Sequence, residues 1–321
     1  MRRSMIALGA AATTLLSLTS TAGASPAHGC AANPVTSYTP VPSTDNPFGV
    51  TQGPGGTWYA DGDLVVQVNG DRQRAFDLPG DADAGWLAWD GSSSSIWFAD
   101  RAQGRIGTVD GQGRVTEYQV PNGVNGTSVP HGFVLGPGPY VWFSDFDNGR
   151  IGRLNLTTSN FAFYDTPTPD SGALGLVRGP DGALYFTERN VDKVGRLAPN
   201  GAFHEWSLDE GSFPNRIAVG PDGNVWFTEL FGNKLGRIDS SGTLTEFPID
   251  GGPVGITTGP DGQLYVALWL SSQVARVDTS GEVTAIWSVP GALQVGTSRD
   301  SVWATDPYAD TVTRVRVLCG S

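Results

Sequence analysis

Short apolar runs bounded by Gly, Pro, Asp and Asn recur along this chain, as expected of short strands. The best-formed unit contains four of them: Arg216-Ile217-Ala218-Val219, Val225 to Thr228, Leu235-Gly236-Arg237-Ile238 and Leu244-Thr245-Glu246-Phe247. Pro221-Asp222-Gly223 separates the first two, and Pro180-Asp181-Gly182 and Pro260-Asp261-Gly262 repeat it. Asp-Gly at such a point predicts a tight hairpin with positive φ at both central residues.

The core Trp226-Phe227-Thr228-Glu229 recurs seven times in all, beginning at Trp58, Trp97, Trp142, Tyr185, Trp226, Tyr265 and Trp303. The intervals are 39, 45, 43, 41, 39 and 38 residues. Four strands repeated at a period near forty predict an all-β fold, a seven-bladed β-propeller of four-stranded blades. After the third strand of the last repeat, Val312 to Val315, no fourth strand follows. Val35-Thr36-Ser37-Tyr38 matches the fourth-strand pattern ahead of the first repeat, so this N-terminal strand is expected to complete the last blade and close the ring. Residues 33–319 are then one propeller domain, expected to act as a monomer.

Composition narrows the partners. With 44 Gly and 22 Pro in 321 residues and a net charge of −12, the chain suits a turn-rich β fold. It has no basic stripe for nucleic acid or an anionic membrane. Arg2-Arg3, an apolar stretch from Met5 to Leu18 and Ala22-Gly23-Ala24 have the plan of a secretory signal peptide, residues 1–24, followed by a leader, 25–32. The mature protein is expected to be secreted. Its only two cysteines, Cys30 and Cys319, lie at opposite ends, where a closed ring in an oxidising compartment would join them as a disulfide.

Around one mouth of the channel the ends of the second strands are expected to meet the residues that precede the first strands. The former are Asp61, Asp100, Asp145, Glu188, Glu229, Leu268 and Asp306; the latter include Phe48, His131, Leu174, Asn215 and Val254. Six carboxylates predict an acidic collar, with Asp100, Asp145, Glu188 and Glu229 as candidate metal ligands. The alternative is that a residue repeated in every blade serves the blade by accepting hydrogen bonds from the loop after it. His131 departs from the repeat. Beside Asp145 and Glu188 its imidazole would have a raised pKa and work as an acid/base group. It could equally hydrogen-bond a loop carbonyl. No nucleophile elbow, phosphate-binding glycine loop or zinc-type spacing occurs.

The combination GPDG-x-hydrophobic-WFTE, then N-K-hydrophobic-G-R, then T-E-F-P, resembles the virginiamycin B lyase (streptogramin lyase) family along nearly the whole mature chain. The resemblance implies a secreted propeller that opens cyclic depsipeptide antibiotics by β-elimination at an ester, with Mg²⁺ assistance. A histidine would move the α-proton, and antibiotic resistance would be the outcome. In that family Pro-His pairs begin the first strand in two adjacent blades near the C-terminus. Here those segments read Gly252-Pro253-Val254-Gly255 and Gly291-Ala292-Leu293-Gln294, and the matching Pro-His is Pro130-His131 in the third repeat. The first expectation is therefore a lyase, with His131, Asp145 and Glu188 at the site and Mg²⁺ as its ion. The second is a non-catalytic propeller that holds a small-molecule, peptide, glycan or cell-wall ligand at the channel mouth.

Overall fold

The computed structural model describes residues 35–38, 46–89, 91, 93–122 and 128–318. It contains seven antiparallel four-stranded sheets, with one short 3₁₀ turn at Trp269–Ser271. The blades run 47–77, 84–119, 130–165, 173–207, 214–248 and 253–288, and the seventh combines 294–316 with Val35–Tyr38. The four strands of a blade are called a to d from the channel outwards. In the fifth blade they are Pro214–Val219, Val225–Glu229, Lys234–Ile238 and Leu244–Pro248, each a residue or two longer than expected.

Val35–Tyr38 pairs antiparallel with Thr311–Arg316, Val35 opposite Val315 and Tyr38 opposite Val312, so the ring closes as the repeat predicts. The Ser37 and Thr313 hydroxyls meet at 3.0 Å, and the Tyr38 ring lies 5.3 Å from that of Trp303. Cys30, Cys319 and the signal segment lie outside the described residues. Among the described residues no helix is long and apolar enough to cross a membrane.

Two features of the repeat explain the packing. The strand-b phenylalanines Phe98, Phe143, Phe186 and Phe227 are fully buried, each opposite a strand-c glycine: Gly107, Gly152, Gly195 and Gly236. A Cβ at Gly236 would run into the Phe227 ring, so these glycines make room for an aromatic. In the sixth blade the pair is Val266 with Ala275, the smaller ring-side residue accompanying the larger strand-c one. Clusters then bridge adjacent blades: Trp226 and Leu235 of blade five pack with Ile256, Leu264 and Val266 of blade six.

Between blades, strand-b hydroxyls act as staples. Thr228 Oγ1 accepts from the Arg216 amide in its own blade and donates to the Val254 carbonyl in the next, at 2.9 and 2.7 Å. Ser144 and Thr187 repeat this between blades three and four, and four and five, while Thr305 donates to the Phe48 carbonyl. Each hydroxyl is buried and satisfied at both ends or at its donor end.

The Asp-Gly turns differ from expectation. Gly182, Gly223 and Gly262 have φ of +78°, +75° and +70°, but the preceding aspartates are not left-handed. Gly182 N–H bonds to Gly179 O, and Gly179 N–H to Ala183 O. The hairpin is therefore the longer kind, a type I turn followed by one left-handed glycine. The aspartate is free to turn outwards: Asp181 pairs with Arg196 at 2.6 Å and Asp261 with Arg276 at 2.8 Å. Arg196 and Arg276 are thus structural, and Arg237, at the same strand-c position in blade five, lies over the rings of Trp226 and Phe247.

Candidate functional site

The seven a strands neighbour one another in a closed circle and line the channel. In blades one to six strand a carries one extra residue relative to strand b, a bulge at the entrance. The third residue of that segment is glycine in four blades: Gly49, Gly132, Gly175 and Gly255. A Cβ on Gly132 would lie 2.7 Å from the Leu176 amide of the next blade, so the close approach of adjacent a strands accounts for glycine there. Blades two and five break the rule with Trp86 and Arg216, and both side chains line the central cavity.

Those two departures are in contact. The Arg216 guanidinium lies 3.6 Å from the Trp86 ring centroid, its Nε donates to Gln294 Oε1 at 3.0 Å, and the Trp86 indole N–H donates to His131 Nδ1 at 2.7 Å. Phe48 meets Trp86 edge-on at 4.9 Å and carries Arg101 over its face at 4.5 Å. Arg189 lies 4.5 Å from the Phe213 ring, and Phe146 meets His131 at 5.4 Å. His131, Arg101, Arg189 and Arg216 are all half-buried.

The electrostatics are opposite to those expected. His131 is held well below the usual histidine range, first by burial and then by the positive fields of Arg216, Arg101 and Arg189. It is therefore neutral at physiological pH. Because Nδ1 accepts from Trp86, the ring proton is on Nε2, which is a donor. The raised pKa foreseen for His131 is corrected: its charged neighbours at the mouth are guanidinium groups, not carboxylates. Arg216 is itself pushed well down, first by burial and then by Arg189 and Arg101.

The expected acidic collar lies beneath the loops between strands b and c. Asp100 Oδ1 accepts from the amides of Asp83, Ala102 and Gln103, each at 3.1 Å, and its Oδ2 from Arg105 Nε at 3.0 Å. Asp145 accepts from Arg150 Nε at 2.7 Å, Ser128 Oγ at 3.1 Å and the Val129 amide at 3.2 Å. Blades four and five replace this arrangement. Lys193 and Lys234 reach outwards to Glu205 and Glu246 on strand d, at 2.7 and 3.0 Å, rather than back to strand b. Glu188 and Glu229 are left fully buried. Their oxygens close no hydrogen bond of good geometry, although Ser171 and Ser212 are near. Burial foremost, then Glu205, pushes Glu188 up to about 8; burial foremost pushes Glu229 up to about 7, with Glu246 adding to it.

The residues present do not fit Mg²⁺. Asp100 and Asp145 are neutralised by arginines, Glu188 and Glu229 are fully buried with their pKa raised, and each of the four belongs to a different blade. No cluster of three or more His, Cys, Asp or Glu placed to hold a metal ion occurs among the described residues. Asp145 and Glu188, expected beside His131, are not among the charges it senses. Arg101, Arg189, Arg216 and Trp86 were missed as site residues; the broken glycine rule at Trp86 and Arg216 was the available signal.

Several known proteins resemble this chain. A solved streptogramin B lyase is 26% identical with a TM-score of 0.80, covering 87% of this chain and 96% of that one. Virginiamycin B lyase from Staphylococcus aureus gives 26% and 0.80, covering 88% and 99%. A catalytically inactive variant of that enzyme, solved with quinupristin, gives 26% and 0.79. In sequence, virginiamycin B lyase of Nocardia farcinica is 27% identical over 127 residues, which span 39% of this chain and 41% of that relative's length. The description of the virginiamycin B lyase family matches residues 133–318, over half of the sequence, and the chain belongs to that family.

Proposed function

We propose that this protein is a ligand-binding member of the family, exported by its N-terminal segment, that holds a small molecule or peptide at the channel mouth without converting it. One observation carries the reading: His131 Nδ1 is engaged by the Trp86 indole at 2.7 Å, leaving no nitrogen of the neutral ring free to accept a proton. The two glutamates with raised pKa do not supply a base either, since they are fully buried under the blade loops.

A second reading, a lyase, rests on the family match and on the guanidinium cluster. β-Elimination at an ester passes the Cα proton to a base, turns the Cα–H electron pair into a Cα=Cβ double bond, and breaks Cβ–O so that the carboxylate leaves with that bond's electrons. Arginines at the mouth suit that leaving group. The test is incubation of the full chain with a streptogramin B ester, with and without Mg²⁺, followed by mass spectrometry and thermal unfolding. Binding alone raises the unfolding temperature and leaves the ester intact. A ring-opened product rejects the binding reading, and its loss in His131→Ala would place that residue in the reaction.

A further inference from the structure

The geometry points to a carboxylate-binding site at the channel mouth, formed by Arg101, Arg189 and Arg216 with the amide of Gln294, for a ligand whose apolar body rests on the surrounding rings. It deepens the reading that the mouth is the ligand site and holds whether or not the ligand is converted.

Charge is the first argument. The protein is strongly acidic overall, at −12, yet three guanidinium groups converge here. Arg101 has a carboxylate partner, Asp83 at 2.7 Å. Among the described residues Arg189 and Arg216 make no ion pair, and Arg216 lies within the field of Arg189. Like charges gathered without counter-ions raise the energy of the free protein, and an anion placed among them lowers it.

Unused donors are the second argument. Gln294 is only 5% exposed, lines the central cavity, and has no partner for its Nε2 once Oε1 accepts from Arg216. The Nε atoms of Arg101 and Arg189 are likewise buried without partners. Buried donors left in this condition are costly, and an acceptor oxygen relieves them.

Shape selects among anions. The cavity at Arg216, Trp86 and Gln294 holds about 190 Å³, room for a small head group and not for a macrocycle. Trp86 and Phe133 are the rings that line it; beside it Phe48 packs on Trp86, Phe146 on His131 and Phe213 under Arg189, and Phe231, Leu270 and Tyr308 are exposed on the loops of blades five to seven. An apolar body attached to the head group would find cover there, whereas a bare phosphate would leave these rings wet.

Titration calorimetry of the full chain with benzoate, its neutral amide benzamide and inorganic phosphate tests the proposal. Benzoate is expected to bind one to one, more tightly than either competitor, and to weaken as sodium chloride is raised. Arg216→Gln and, independently, Arg189→Gln should each weaken it by about tenfold or more, the factor equal to about 1.4 kcal/mol. Because Arg216 also packs on Trp86, the Arg189 variant decides if the Arg216 variant misfolds. Equal binding of benzamide, equal binding of phosphate, absence of benzoate binding, or full affinity in Arg189→Gln would each overturn the site. Ring opening of an ester with benzoate binding intact would remove only the non-catalytic reading.

Discussion

One residue separates two destinations on this ring. Asp100 and Glu188 end their b strands fully buried, and the next residues, Arg101 and Arg189, stand half-buried at the channel mouth with the opposite charge. The carboxylate recurs in six of seven repeats; the arginine occurs after two of them. At Asp100 the recurring group ties the loop after it, through the Ala102 and Gln103 amides, to the Asp83 amide ahead of its blade, whereas Glu188 closes no such bond. The sporadic one meets a partner from elsewhere, Arg101 lying over Phe48 and Arg189 over Phe213. Periodic residues hold the ring together, and aperiodic ones furnish the site.

Breaking the periodic set should unfold the protein without touching the ligand. Asp145→Ala leaves Arg150, only 11% exposed, without its carboxylate. A loss of about 3–5 kcal/mol in urea unfolding is expected, with ligand affinity per folded molecule unchanged. A stable variant that lost binding would erase the distinction between the two regions.

The glutamate pair gives the next effect. A folded-state pKa above the unfolded one means that Glu188 and Glu229 favour folding while protonated. That contribution is present at low pH and is lost as pH rises from the ordinary glutamate value, 4.5, through about 7 and about 8. Stability should therefore fall between pH 5 and pH 8. Glu188→Gln should flatten that slope and raise stability at pH 8 by on the order of 1 kcal/mol. A variant as pH-sensitive as the parent would show that the glutamate is solvated.

Thr228→Val removes the hydroxyl that joins the Arg216 amide to the Val254 carbonyl. It should cost about 1–3 kcal/mol, read from the unfolding midpoint. The smallest effect belongs to the mouth. Arg189→Gln is expected to shift stability by less than about 0.5 kcal/mol, because no ion pair is lost. A larger loss would make Arg189 part of the scaffold.

The propeller was legible because its cause is repetition. The same aromatic core seven times sets the blade count, and Val35–Tyr38 supplies the strand that the last repeat lacks. The site was less legible because its geometry depends on the strand-a bulge. Alternation predicts where a side chain points only while pairing is regular, and one inserted residue re-aims the next. Arg216 reads as an ordinary strand residue until the bulge between Pro214 and Ile217 places it beside Trp86, 130 positions earlier in the chain (86 against 216). The acidic collar was foreseen by residue but not by depth. Recurrence was itself the sign of a residue that serves its blade, and Asp100 and Asp145 do accept from backbone amides and arginines.

The hydroxyls of Ser37 and Thr313 touch across 276 positions of sequence. Their contact cannot form on the ribosome until every intervening sheet has been synthesised. Maturation of this protein is thus a latch that engages late: six sheets can be complete while the seventh still presents an open edge to any passing strand.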